Sequence, residues 1–387
     1  MQIFQFNFFG KGHIYPTIPI VRALIERGVR VTSYGLPQHQ GIISASGAQF
    51  RAYSRPPQRE KNAMQLAAYQ TSWALDLLPG LLADINDDQP QIVITDSMLP
   101  LGWYAAQIAS LPLVVITTHA VANDTISRTL GLTEEQILRN GDMVTFQEDL
   151  SNYRQAAETL QEIFGLAPLP ARHVFQIPAD LTLVTTSSAL QPAADLLDSS
   201  YKFVGPMIES RGEVADFPLQ QFEGGPLVYV SLGTMAHDLD VYKIFPEAFD
   251  GAPYHVVISA GGKPFALQDL PENFSFYEFV PQLDLLTKVD VFVTHGGWNS
   301  VNEALYNNVP MVVCPQGKDQ FINAQVLEQL GVGKALYEPT PARVRAAVDE
   351  LLADRAYRLK AEEVGATLRK AGGSSSAADE ILGLAAG

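Results

Sequence analysis

A chain of 387 residues exceeds what one ordinary hydrophobic core fills and points to two domains. A net charge of −16, with 47% hydrophobic and 18% charged residues, fits a soluble globular protein and excludes general nucleic-acid binding, which needs basic patches, while leaving room for a local phosphate site. The only cysteine, Cys314, excludes a disulfide framework and a cysteine metal cluster, and its place in the apolar run Met311–Cys314 suits a packed core thiol.

The opening MQIFQFNFFGKGH lacks a basic n-region and a long apolar run, so no signal peptide is expected. No apolar run reaches the length of a transmembrane helix, which makes a cytoplasmic enzyme without integral membrane association the expected setting. Ile3–Phe9 reads as a strand that ends at Gly10-Lys11-Gly12-His13. A helix from about Thr17 to Arg27 follows, closed by Gly28, and Val29–Tyr34 is the next strand. The Gly10-x-Gly12 turn invites a dinucleotide reading. That reading is weak, because Tyr15 holds the third glycine position and Tyr34-Gly35, not an acidic residue, ends the second strand.

Ser54–Glu60, with Pro56-Pro57 and mixed charge, reads as a loop. From Ala63 to Ile85, Met64, Leu66, Trp73, Leu77 and Leu81 recur at mostly helical spacing, a stripe that suits a core-facing helix better than a ligand wall. Ile92–Thr95 is a strand ending at Asp96, and Leu113–Thr118 another ending at His119; Asp180–Thr186 and Tyr201–Gly205 complete the first half. Between Pro206 and Pro226 the chain becomes polar and punctuated, as a linker does. Strands follow at Leu227–Leu232, Tyr254–Ser259, Phe274–Phe279 and Val291–Thr294, then helices near Pro341–Ala353 and Ala356–Lys370, a Gly-Ser-Ala-rich stretch and a short tail helix. Two successive βα arrays make an α/β protein of two doubly wound domains with parallel sheets: residues 1–210 and 226–370, a linker at 211–225 and a tail helix at 371–387. Ligands are expected at strand C-termini, in a cleft between the domains.

The chemistry concentrates in Val291–Gln320, VFVTHGGWNSVNEALYNNVPMVVCPQGKDQ. An apolar strand breaks at His295-Gly296-Gly297 and restarts at Asn299-Ser300 as a helix, with Glu303 in its first turn or so. Strand, glycine turn and helix N-terminus together aim backbone N–H groups and a positive dipole end at an anion. His295, Asn299 and Ser300 add donors, and Glu303 an acceptor about one turn on. Donors for a diphosphate beside an acceptor for a ribose diol make a nucleotide site. A Gly-Gly turn opening a helix capped by Asn or Ser also occurs as plain structure, so the flanks decide: Phe279-Val280-Pro281-Gln282 lies upstream and Asp319-Gln320 downstream.

With these flanks the block resembles the donor-binding signature of the family 1 UDP-dependent glycosyltransferases: aromatic-x-Pro-Gln, His-x-Gly-Trp-Asn-Ser-x-x-Glu, then Asp-Gln. Over most of its length the chain is similar to the bacterial macrolide-type members, whose GT-B fold has two facing Rossmann-like domains. The resemblance implies an N-terminal acceptor-binding domain and a C-terminal nucleotide-sugar donor-binding domain. It implies that His13, in Gly12-His13-Ile14-Tyr15-Pro16, is the general base on the acceptor hydroxyl and that Asp96 orients it. Imidazole suits a base because its ordinary pKa lies near neutrality. His119, at another strand end, is a reserve candidate for the acceptor wall. In the donor set Phe279 stands where tryptophan is usual, and its ring can still stack on uracil. Gln282 and Glu303 match the residues that hold the ribose hydroxyls. Thr234, in Ser231-Leu232-Gly233-Thr234, joins His295, Asn299 and Ser300 around the diphosphate. Asp319 and Gln320 match contacts to the sugar hydroxyls, and Trp298 shapes the turn. Gly12, Val280 and Gly297 complete the expected donor-binding residues.

Asp238-Leu239-Asp240 fits the Asp-x-Asp of metal-dependent glycosyltransferases, but its place before a helical run suits helix capping, and the family implies no metal. The expectation is therefore an inverting UDP-sugar glycosyltransferase, most simply using UDP-glucose, that forms a β-glycoside on a hydroxyl of a small hydrophobic acceptor such as a phenol, flavonoid or macrolide. It needs no cofactor beyond the UDP-sugar donor and has no nucleic-acid partner. The rivals are a nucleotide-sugar epimerase of similar build, which would release free sugar without an acceptor, and a catalytically silent nucleotide-sugar-binding subunit.

Overall fold

Short runs rich in Val, Ile, Leu and Phe alternate with helices along the chain because a parallel strand is buried on both faces and needs a helical crossover to reach the next. The computed structural model describes residues 1–54, 62–129, 143–167, 169–174, 176–209, 217–222, 224–233, 240–260 and 270–386. It divides into two units, Met1–Met207 with Gly372–Gly387, and Ile208–Ala371.

The first unit holds β1 (Gln2–Phe6), β2 (Arg30–Gly35), β3 (Gln49–Ala52), β4 (Ile92–Asp96), β5 (Leu113–Thr117), β6 (Leu181–Val184) and β7 (Tyr201–Phe203). They form one parallel sheet in the order β3-β2-β1-β4-β5-β6-β7. Alternate residues serve opposite faces: Phe4, Phe6, Val93 and Val115 pack with the helices Ala63–Asp88 and Pro100–Ala109. Ile3, Ile92, Ile94, Val114 and Ile116 pack on the other side with the helix Thr17–Glu26. The expected stripe of Ala63–Asp88 is core: Met64, Trp73, Leu77 and Leu81 are buried. The helix Met143–Phe164, which lies along Ala63–Asp88, was not expected.

The second unit holds β8 (Leu227–Ser231), β9 (His255–Ser259), β10 (Phe274–Tyr277), β11 (Val291–Thr294), β12 (Met311–Val313) and β13 (Gly333–Ala335). Their order is β10-β9-β8-β11-β12-β13, again all parallel. Val228, Val230, Val256, Ile258, Val291 and Val293 share a core with the helices Ile244–Phe249 and Pro341–Ala353. Cys314 is buried in this core, and burial pushes its thiol up to about 12, so it is a packing group.

Several boundaries differ from expectation. β1 ends at Phe6, so Phe8 and Phe9 belong to the loop that carries His13, where Phe8 lies 4.8 Å from the His13 ring and Phe9 meets Trp73 edge-on. Of the segment expected as linker, residues 210–216 and 223 lie outside the described residues, as does the loop 55–61. Leu219–Phe222 is a 3₁₀ turn, and Phe217 and Phe222 pack on Tyr277 and His255 of the second unit. The tail helix, Gly373–Ala386, belongs to the first unit: Ala377, Ala378 and Ile381 enter the core beside Ile20 and Leu24, and Gly373 N donates to Val204 O at 2.7 Å. Among the described residues no helix is long and apolar enough to cross a membrane.

Both sheets reverse their direction of strand addition once, at β1/β4 in the first and β8/β11 in the second. The splayed C-terminal ends at such a switch point are where open α/β sheets bind ligands. His13 and Asp96 follow β1 and end β4; Gly233 and His295 follow β8 and β11.

Candidate active site

In the first unit, Gly10 is extended and precedes a single helical turn, Lys11–Ile14, which lifts His13 over the end of β4. His13 Nδ1 lies 2.8 Å from Asp96 Oδ2, and Thr118 Oγ1 lies 3.2 Å from the same nitrogen. A carboxylate only accepts, so Nδ1 carries the proton and the lone pair is at Nε2. The His13 side chain is 22% exposed and that of Asp96 2%: the acid is sheltered and the imidazole reaches solvent. The second carboxylate oxygen, Oδ1, accepts from Met98 N at 2.8 Å, which fixes the plane of the group. His119 differs. Its Nε2 meets Ser97 Oγ at 3.0 Å and its Nδ1 meets Ala120 O at 2.9 Å, so both ring nitrogens are engaged by neighbouring chain.

In the second unit, β11 ends in His295-Gly296-Gly297, and the helix Trp298–Tyr306 begins with Gly297, not Asn299 or Ser300, at its N-cap. The expectation of an Asn or Ser cap is corrected here: Gly297 has no side chain to spend on the first-turn N–H groups, which leaves the turn open for close approach. Gly296 has φ +83, and a Cβ there would lie 2.6 Å from Val313 Cγ1. Its carbonyl accepts from the buried Asn323 at 2.8 Å. The His295 ring is wedged between two glycines; a Cβ on Gly233 would sit 2.6 Å from its Cε1, and one on Gly297 would collide with its Nε2. Trp298 is buried beneath the turn, and its carbonyl accepts from Asn302 at 2.9 Å.

Glu303, 3% exposed, accepts from Gln282 Nε2 at 2.7 Å. The same nitrogen lies 3.5 Å from Ser300 Oγ, while Gln282 Oε1 accepts from Tyr229 OH at 3.1 Å. Burial holds the Tyr229 phenol well above its ordinary value, so it keeps the proton it donates to Gln282, and its ring stacks on Phe292 at 4.7 Å. Phe279 is 46% exposed beside buried Val280, so an aromatic face is open next to Gln282. Asp319 is exposed in the first turn of the helix Lys318–Gln329. Gln320 Oε1 accepts from the backbone N–H groups of Gln316 and Gly317 at 2.8 and 3.0 Å, so that oxygen closes its own turn.

Thus His13, Asp96 and Gly12 belong to the first unit, and Phe279, Val280, Gln282, His295, Gly297, Trp298, Asn299, Ser300, Glu303, Asp319 and Gln320 to the second. Thr234 and Asp238 lie outside the described residues; Asp240 begins a 3₁₀ turn, Asp240–Lys243, that leads into Ile244–Phe249. Among the described residues no group of three or more His, Cys, Asp or Glu is arranged to hold a metal. Thr118, Tyr229 and Asn323 were missed. Tyr229 had a signal, a polar-tipped aromatic inside the aliphatic strand LVYVS, whereas Asn323 is one of several polar residues on its helix.

Residues 216–366 match the sequence model of the UDP-glucoronosyl and UDP-glucosyl transferase family. Over 98% of the chain and 96% of the relative, the sequence is 32% identical to an uncharacterized UDP-glucosyltransferase, YojK, of Bacillus subtilis. It is 29% identical to the oleandomycin glycosyltransferase of Streptomyces antibioticus, covering 98% of this chain and 90% of that one. Among solved structures, the glycosyltransferase of kitacinnamycin superposes with a TM-score of 0.86 at 29% identity, over 98% of each chain. Two parallel Rossmann-like sheets, the His-Asp pair on one and the Gln-Glu pair on the other accompany these likenesses, and the chain belongs to the UDP-glucoronosyl and UDP-glucosyl transferase family as a UDP-dependent glycosyltransferase of GT-B fold.

Proposed function

We propose that this enzyme transfers glucose from UDP-glucose to a hydroxyl of a small hydrophobic natural product with inversion, giving a β-glycoside. One observation carries the chemistry: the 2.8 Å contact of His13 Nδ1 with Asp96 Oδ2. With Nδ1–H held by the carboxylate, Nε2 takes the acceptor's proton as its oxygen attacks the anomeric carbon. The bond from that carbon to the diphosphate oxygen breaks, and UDP leaves through an oxocarbenium-like transition state. Asp96 steadies the imidazolium as carboxylates do in hydrolase triads.

In this reading the first unit receives the acceptor and the second the donor. Phe279 stacks on uracil, Gln282 and Glu303 take the ribose diol, and Asp319 takes sugar hydroxyls. His295 and the open turn of Trp298–Tyr306 meet the diphosphate. A helix N-terminus and an imidazole are suited to a developing dianion, so no metal is invoked. The relatives named for oleandomycin and kitacinnamycin support a natural-product acceptor. A cytoplasmic setting, where UDP-sugars are made, goes with the reading.

The test is incubation with UDP-glucose and a panel of phenols, flavonoids and macrolides, with products read by mass. A mass gain of one hexose on an acceptor, together with UDP release, supports the proposal. Sugar release that needs no acceptor would favour an epimerase-like activity instead.

A further inference from the structure

The loop that carries His13 is tied at its base by a buried polar clasp. Asn7, directly after β1, and Thr17, the first residue of the next helix, are ten residues apart and bracket His13. The Thr17 hydroxyl lies 3.2 Å from Asn7 Oδ1 and 2.9 Å from Ile14 O, so it shares its single proton between the loop's entry and the residue after His13. Asn7 is held from every side. Its Nδ2 and its backbone N both donate to Tyr34 O, at 3.0 and 3.1 Å, and its carbonyl accepts from Tyr53 OH at 2.9 Å. Gln5 Nε2 donates to Asn7 Oδ1 at 3.2 Å, and Ser33 Oγ donates to Gln5 Oε1 at 2.6 Å, which fixes the orientation of both amides. Gln5, Asn7, Thr17, Ser33, Tyr34 and Tyr53 are all buried.

We propose that Asn7 and Thr17 are positioning residues for the transfer reaction: their clasp sets where the Lys11–Ile14 turn stands and so where His13 meets Asp96. This rests on His13 being the base. The physical case is one of cost and placement. Buried polar groups linked through Asn7 are expensive unless their partners are met, and a hydrogen-bonded network of this kind favours one conformation. Through Thr17 it closes the turn carrying the imidazole. Neither residue touches the Asp96 carboxylate in any hydrogen bond described, so their action goes through the loop.

Thr17→Val tests it, because valine keeps the shape, leaves Asn7 Oδ1 its bond from Gln5, and removes only the shared proton. A reacting group displaced by about 1 Å can lose on the order of a hundredfold in rate. With an unactivated alcohol acceptor, kcat should fall roughly ten- to a hundredfold while KM for the donor stays within about twofold. With an acidic nitrophenol, which needs little help in losing its proton, the fall should be several times smaller, and Thr17→Ser should restore both. Equal losses on the two acceptors, or a kcat within twofold of the parent on the alcohol, would overturn the clasp as a positioning device. His13→Ala run in parallel separates the two ideas: if it keeps near-parental turnover on the alcohol, the base assignment falls and takes the clasp with it. If it collapses while Thr17→Val does not, only the clasp falls.

Discussion

The imidazole of His295 occupies the space that a side chain on Gly297 would need. The backbone of Gly297, at φ −63 and ψ 138, is one alanine adopts without strain, so Gly297→Ala tests the ring position and the open turn together without distorting the chain. The methyl group should push the imidazole out of its slot and weaken UDP binding by about tenfold or more, with only a small change in thermal midpoint. Calorimetry with UDP, paired with a melting curve, checks it; parental affinity in the variant would remove His295 from the diphosphate site.

A general base contributes about 10²–10⁴-fold, on the order of 3–5 kcal/mol of barrier. His13→Ala should lose turnover on that scale and still bind UDP, since the residues proposed for the donor, other than Gly12, belong to the second unit. Asp96→Asn should fall less, because Met98 N and Thr118 continue to hold the site together. Single-turnover rates alongside UDP titrations distinguish the two effects. Near-full turnover by His13→Ala across acceptors of ordinary acidity would sink the base.

Tyr229, Gln282 and Glu303 form one line of hydrogen bonds. Glu303→Ala should weaken UDP by about 1.5–3 kcal/mol, the usual worth of a hydrogen bond to a charged group. Tyr229→Phe should cost about 0.5–1.5 kcal/mol, because Gln282 Oε1 loses its donor and the amide is no longer pinned. An unchanged Kd in the Glu303 variant would take that residue out of the ribose site.

The proposed glucose preference is tested at Asp319, an exposed acid in a helix first turn. A carboxylate that accepts from two adjacent equatorial hydroxyls suits glucose, whereas galactose presents one axially. UDP-glucose should be preferred over UDP-galactose by about tenfold or more, because a bound sugar covers the carboxylate and a hydroxyl it then misses leaves an unpaired acceptor at a cost of roughly 1–3 kcal/mol. Competition between the donors in the presence of EDTA decides it. Equal incorporation would refute the role of Asp319, and loss of all activity in EDTA would reopen Asp238 and Asp240 as metal ligands.

The parallel strands were legible because runs such as Val291–Thr294 are apolar on both faces, which only a doubly covered sheet requires. Two of the four edge strands escaped: β3 reads Gln-Phe-Arg-Ala and β13 Gly-Lys-Ala, with no apolar run to see, whereas the edges β7 and β10 carry aromatic residues and were legible. The helix Met143–Phe164 was missed because only a few of its residues, among them Phe146, Tyr153 and Leu160, are buried. The His13–Asp96 pair spans 83 positions, so spacing could not show it. It was read from the family resemblance, and the physical reason is that β1 and β4 become neighbours. The Gly297 cap was misread because a Gly-Gly-Trp-Asn-Ser string looks capped by its first polar residue, while the helix starts at the tryptophan.

The return of Gly373–Ala386 to the first unit gives the chain the layout of an inserted cassette. Residues 208–371 leave and rejoin a body whose exit and re-entry points, Val204 and Gly373, share a hydrogen bond. During synthesis the first body is therefore begun first and finished last: Ala377, Ala378 and Ile381 fill its core only after the whole second body has been made. A truncation at residue 371 would spare the whole second body and still leave a hole in the core of the first. Chimaeras that exchange the second body accordingly need two junctions, near 207 and 372, with the last helix kept from the parent that supplies the first body.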